Sequence, residues 1–202
     1  MRRISFIAGG IALAVMAVGS VAKADPAPGP VRVLDAKLIG NGCPRGLTAK
    51  IDLGSALVLG FNENFTAAVG KDAGGKVLDR KACTIQLLLD VPAGYQYSLA
   101  SFHTLGTANL AYGAKGQHQT KYWFQGTSST AYYASFIGSG DWWIDDSFTT
   151  PVYSACGEQR YLNITTSLTA MAGTSNPATT TSSITEDFAF TTTYDLDFQP
   201  CW

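Results

Sequence analysis

The sequence predicts an all-β chain: an antiparallel β-sandwich, single-domain and stabilised by two disulfides. Apolar residues recur with a period of two over most of the chain, and clusters of Gly, Ser, Asn and Pro cut those runs at short intervals. No window past the N-terminal segment carries a 3.6-residue apolar stripe. Abundant Thr, Tyr and Phe together with 21 glycines fit two packed sheets. A closed barrel is the alternative, and strand order is not legible.

In chain order, the first feature is Met1-Arg2-Arg3, an apolar run from Ile4 to Ala22, and the small-x-small ending Ala22-Lys23-Ala24. A basic start, an apolar middle and that ending read as a signal peptide over residues 1–24, cleaved after Ala24. An uncleaved anchor is the competing reading, and the glycines and the Ala-x-Ala ending weigh against it. The paired arginines hint only weakly at twin-arginine export, because Phe6 lies too far behind them.

Cleavage leaves 178 of the 202 residues, removes Arg2, Arg3, Lys23 and no acid, and takes the formal net charge from −1 to −4. That length suits one domain with a substantial core. Residues 25–30 form a Pro-rich leader, and the sandwich domain is assigned to 31–202. The mature chain lacks the basic stripe that phosphate backbones require, and no second apolar stretch could span a bilayer. Nucleic acid and, after cleavage, membrane are therefore not expected partners. Oligomeric state is left open.

Strands are expected over 48–53, 56–61, 85–91, 95–106, 119–125, 131–137 and 160–171. In the third of these, Ile85, Leu87, Leu89 and Val91 alternate with Thr84, Gln86 and Asp90, Leu88 being the exception, and Val91-Pro92-Ala93-Gly94 ends the run. The clearest half-buried strand lies near the C-terminus. Phe188, Phe190, Thr192, Tyr194, Leu196 and Phe198 share one face there, and Ala189, Thr191, Thr193, Asp195 and Asp197 the other. The polar stretch 173–183 reads as an exposed loop.

All four cysteines, Cys43, Cys83, Cys156 and Cys201, fall in the mature part, and an even count in an exported chain reads as disulfides with three connectivities open. Zinc is the competing explanation. No Cys-x-x-Cys exists and neither His103 nor His118 stands at ligand spacing from a cysteine, so no metal and no cofactor are expected.

The ordered motifs Asn41-Gly42-Cys43-Pro44, Arg80-Lys81-Ala82-Cys83, Val91-Pro92-Ala93-Gly94-Tyr95 and Lys121-Tyr122-Trp123-Phe124-Gln125-Gly126 are followed by Cys156-Gly157-Glu158-Gln159-Arg160, Leu162-Asn163-Ile164 and Pro200-Cys201. Together they resemble the small secreted proteins grouped as domain of unknown function 4360, over nearly the whole mature chain. The resemblance implies export, a β-rich domain and paired cysteines, and brings no catalytic residues. With the cysteines in the family's motif pairs, bridging in chain order is the expectation, Cys43 to Cys83 and Cys156 to Cys201. Each bridge is worth at most roughly 4 kcal/mol on the chain-entropy model.

Function is less legible. There is no Gly-x-Ser-x-Gly elbow and no His-Glu-x-x-His helix. His103 is placed on one strand face with Tyr95, Tyr97, Leu99, Ser101 and Leu105, and His118 in a turn over 116–119. Glu158 and Arg160, expected on the same strand face as Cys156, Leu162 and Ile164, read as a structural ion pair beside a disulfide.

The segment 138–146 is the candidate ligand loop. Trp142 and Trp143 can stack on sugar rings while Asp141, Asp145 and Asp146 accept hydroxyl hydrogen bonds. Plain packing is the bland alternative, and clustered Asp for calcium a third, although the spacing matches no EF-hand. Adjacent tryptophans in an extended segment project to opposite sides, so at most one is fully buried. Asn64-Phe65-Thr66 and Asn163-Ile164-Thr165 fit the glycosylation pattern, with Asn163 expected to face outward.

The leading reading is a non-catalytic extracellular binding or surface-associated module whose partner is a glycan or other cell-surface component. The alternatives are a carbohydrate-active hydrolase using paired carboxylates from Asp141, Asp145, Asp146 or Glu158, and a structural matrix component.

Overall fold

The structure is a computed structural model that describes residues 29–40, 42–187 and 191–201. The expected signal peptide, most of the expected leader, Asn41 and Phe188, Ala189 and Phe190 of the expected C-terminal strand lie outside the described residues.

Twelve strands form among the described residues: β1 (Arg32–Ile39), β2 (Thr48–Asp52), β3 (Ala56–Gly60), β4 (Phe65–Gly70), β5 (Leu78–Asp90), β6 (Tyr95–Asn109), β7 (Lys115–Phe124), β8 (Thr130–Phe136), β9 (Ser139–Ser147), β10 (Leu162–Met171), β11 (Thr181–Glu186) and β12 (Thr192–Pro200). They build two antiparallel sheets. The first runs β1-β5-β10-β7-β8, and the second β2-β3-β12-β6-β11-β4 with β9 added to β6. At 15 residues, β6 is long enough to carry β12 and then β11 along one side, and β9 along the other.

The sheets face each other across a core that includes Leu57, Leu87, Leu99, Phe102, Tyr122, Phe124, Leu162, Ile164 and Leu168, all below 2 % exposed. Each such side chain contributes on the order of 1.5–3 kcal/mol by leaving water. The two-residue period explains why these residues and not their neighbours are inside. In β7, Gly116, His118, Thr120, Tyr122 and Phe124 are buried, while Lys115, Gln117, Gln119, Lys121 and Trp123 lie on the outer face. In β12, Thr192, Tyr194, Leu196 and Phe198 are buried, as the alternation predicts.

Both disulfides follow chain order. Cys43 bonds Cys83 with a Cα separation of 4.5 Å, and Cys156 bonds Cys201 at 5.8 Å. Cys43 lies on the crossing from β1 to β2 and Cys156 on the crossing from β9 to β10, so each bridge stands where the chain changes sheet.

Four expectations are corrected. His118 is in β7, fully buried, and not in a turn. Gly116 is not a turn glycine: a Cβ there would lie 3.1 Å from Ile184 and 3.3 Å from Leu110, so the residue is small because the opposite sheet packs against it. Residues 181–183 open strand β11 instead of ending a loop, with Ser182 buried between half-exposed Thr181 and Ser183. Residues 156–161 are irregular, and the strand begins at Leu162. Arg160 and Glu158 do pair, at 2.6 Å, but from this segment and not from a strand face; Arg160 also donates to the Gln125 carbonyl at 3.0 Å.

The fourth correction concerns Asn163. Its strand position is outward as expected, yet it is only 4 % exposed. Its Oδ1 accepts from Gln86 at 2.8 Å and its Nδ2 donates to the Tyr161 carbonyl at 3.2 Å, because β10 is central and its neighbours' long side chains close over it. The folded chain leaves no room for a glycan at that amide. Asn64 is exposed in the connection between β3 and β4.

Candidate functional site

Segment 138–146 is a strand rather than a loop: β9 hydrogen-bonds β6 from Ser139 opposite Asn109 to Ser147 opposite Ser101. Its aspartates disfavour a strand by propensity, and pairing to β6 overrides them. Alternation divides the candidate residues. Trp142 and Ile144 enter the core at 6 % exposure each, whereas Trp143 stands 78 % exposed between Asp141 and Asp145 on the outer face. Trp142 is seated on Gly106, the residue directly opposite, where a Cβ would lie 2.4 Å from the indole. Asp146 falls on the other side of the strand, and its carboxylate helps, after burial, to push the Tyr132 phenol upward. Of the five candidates, then, the strand brings Asp141, Trp143 and Asp145 to one face and parts them from Trp142 and Asp146.

That face also carries His103, Asp195 and Ser101. Asp145 stands opposite His103, and its Oδ1 lies 3.1 Å from the imidazole Nδ1. The other ring nitrogen, Nε2, lies 3.5 Å from Asp195 Oδ2, which also accepts from Ser101 Oγ at 2.5 Å. A carboxylate-imidazole-carboxylate-hydroxyl row thus crosses β9, β6 and β12. Thr107 donates to Asp187 at 3.1 Å one strand pair further along.

This row could not be placed from sequence because β6 is irregular where it pairs with β12, between Asp195 and Leu196. One extra residue at Ala100 inverts the alternation. Tyr97 and Leu99 face the core, and Ser101, His103 and Leu105 face out. Tyr97 and Leu99 therefore do not share a face with His103, contrary to the unbroken period.

The serine donates to a carboxylate, not to the imidazole, so the row is not a nucleophile-base pair. Among the described residues no group of three or more His, Cys, Asp or Glu side chains is arranged to hold a metal ion.

A second constellation lies inside the sandwich. Glu186 of β11 and His118 of β7 approach at 3.5 Å, at 1 % and 0 % exposure, joining the two sheets. Glu186 Oε1 accepts from Thr104 at 2.6 Å and from Thr192 at 3.0 Å. The imidazole is stacked on Phe102 and lies 5.5 Å from the Trp142 ring. Glu158, the remaining carboxylate considered for catalysis, helps line a separate cavity of about 360 Å³ beside the Cys156–Cys201 bridge.

Comparison with known proteins places the chain. An uncharacterized secreted protein of Arthroderma benhamiae is 28 % identical over 183 residues, covering 87 % of this chain and 74 % of the relative. Its secretion agrees with the localisation expected here. Among solved structures, TmCBM61 in complex with β-1,4-galactotriose aligns over 84 % of this chain and 86 % of its own at 13 % identity, with a TM-score of 0.32. That likeness is too slight to carry a statement about this molecule. The profile of the domain of unknown function DUF4360 matches residues 30–201, nearly all of the chain past its N-terminal segment, and the protein belongs to that family.

Proposed function

We propose that this secreted β-sandwich is a non-catalytic binding module that takes a glycan on the outer face of the seven-stranded sheet, at the β9 edge. The observation that carries the reading is Trp143, an indole 78 % exposed with a carboxylate on either side of it along the strand. An exposed indole offers an apolar face to the C–H side of a sugar ring. Asp141 and Asp145 flank it as acceptors for hydroxyl groups. The His103–Asp195–Ser101 row holds Asp145 in place, so less side-chain freedom is lost on binding.

The paired-carboxylate hydrolase has less support. Asp141 and Asp145 are four residues apart on one strand, about 13 Å at the usual rise, which exceeds the separation of roughly 9.5 Å that inverting glycosidases allow. Asp146 faces away from both, and Glu158 is occupied by Arg160.

The test begins with neutral polysaccharides screened against the mature chain by affinity electrophoresis. Trp143→Ala is expected to weaken binding of any retarding glycan by about tenfold, the scale of one stacked aromatic with its hydrogen bonds, while leaving the melting temperature within about 2 °C. Full retention of binding by a folded Trp143→Ala variant would remove β9 from the site.

A further inference from the structure

The outer face of the other sheet differs in charge and shape. A groove of about 340 Å³ crosses β5, β10, β7 and β8, with Arg80, Gln117, Gln119, Tyr133, Ser167 and Thr169 among its lining. Strand spacing makes these four strands about 14 Å wide. The groove's polar groups are tied together: Gln119 Nε2 donates to the Tyr133 hydroxyl at 2.7 Å, and Gln119 Oε1 accepts from Ser167 at 3.3 Å and from Arg80 Nη2 at 3.5 Å. Ser167 is only 3 % exposed, so the floor of the groove is fixed, while Tyr133 is 69 % exposed at its rim.

Around the groove the charge is one-sided, the acids of this face, Asp35 and Asp90, standing outside its lining. Arg80 of β5 and Lys115 and Lys121 of β7 are outward, and among the described residues none of the three lies within ion-pair distance of an acid. Strands β7, β8 and β10 contain no Asp or Glu at all. Among the described residues the one hydrogen bond of the Arg80 guanidinium is a long bond to an uncharged amide, which leaves most of its five N–H donors for a ligand.

We infer that this groove is a second binding site, for a polysaccharide whose sugars bear carboxylates. Arg80 takes the carboxylate as a forked donor, the hydroxyl and amide groups of Tyr133, Gln117 and Thr169 take sugar hydroxyls, and Lys115 and Lys121 extend the positive field along β7. The ring of Tyr133 supplies the apolar surface for one sugar. The site stands on observations independent of Trp143 and lies on the opposite face of the sandwich.

The test is affinity electrophoresis and calorimetry of the mature chain with polygalacturonate. Highly methyl-esterified polygalacturonate serves as the same sugar without charge, and poly-L-glutamate as the same charge without sugar. Expected is binding to polygalacturonate that weakens on raising salt, little or none to the other two, and a loss of about tenfold in Arg80→Gln. Tyr133→Ala should weaken binding several-fold, and Trp143→Ala should leave it unchanged. These residues are exposed or half-exposed, and circular dichroism melts check that each variant is folded. The inference is overturned by no retardation in polygalacturonate, by undiminished binding of Arg80→Gln, or by equal binding to poly-L-glutamate, which would make the face a general polyanion surface. Loss of polygalacturonate binding in Trp143→Ala but not in Arg80→Gln would also overturn it, by moving the ligand to β9.

Discussion

Two histidines in this molecule stand beside carboxylates, in opposite surroundings. His118 is sealed between the sheets 3.5 Å from Glu186, whereas His103 is 48 % exposed between Asp145 and Asp195 at 3.1 and 3.5 Å. The separations are nearly the same, so distance alone cannot tell what each contact is worth. The difference is water. On the surface, solvent and salt screen the charges, and exposed pairs are worth roughly 0–1 kcal/mol. In the interior a carboxylate depends on its protein partners, here Thr104, Thr192 and the imidazole. Losing one member of such a set strands the others.

The largest effect is therefore expected inside. Glu186→Ala should lower the free energy of unfolding by about 3–5 kcal/mol in urea titrations, because it removes the carboxylate facing buried His118 and the oxygen that accepts from Thr104 and Thr192. A loss no greater than that of a surface variant would dissolve the contrast. Next comes Gly106→Ala, which tests how tightly the interior supports β9. Its new Cβ would meet the Thr185 carbonyl at 2.0 Å and the Trp142 ring at 2.4 Å, so a loss of about 1–3 kcal/mol or more is expected, read by thermal melting. A neutral result would show that both the Trp142 ring and the Thr185 backbone can give way beside β6. The smallest effect belongs to the surface row. His103→Ala and Asp145→Asn should each change stability by no more than about 1 kcal/mol, with a double-mutant coupling that fades between low and high salt. A coupling as large and salt-insensitive as a buried pair would mean that the row is closed to solvent in solution.

Much of the fold was legible because the alternation is an energetic requirement. A sandwich strand that broke it would bury polar or expose apolar side chains along its whole length, as β12 and β7 illustrate from opposite ends of the hydrophobic scale. The disulfide pairing was legible through family resemblance, not through spacing. What escaped was whatever depends on a single inserted residue or on the sheet opposite. The irregularity at Ala100 leaves no compositional trace, yet it decides which side of β6 carries His103. Gly116 resembles a turn residue in one dimension and is a packing residue in three, which misplaced His118. Glu186 attracted no notice in a Thr-rich stretch, since only its partners on β6, β7 and β12 make it central. Within the candidate site, the opposite fates of Trp142 and Trp143 followed from period two. The recruitment of Asp195 and Ser101 required the strand order.

The position of β9 at the margin of its sheet has a consequence for solubility. A nine-residue strand that, among the described residues, pairs with β6 alone offers its other side to any chain able to extend the sheet, including a second copy of itself. Antiparallel self-addition centred on Trp143 would set Asp141 directly opposite Asp145, and the reciprocal pair would repeat the repulsion; parallel in-register addition would stack every aspartate on its twin. The carboxylates beside Trp143 therefore also act as gatekeepers against aggregation around an exposed indole. Neutralising both to probe ligand recognition would remove that protection together with the hydrogen-bond acceptors.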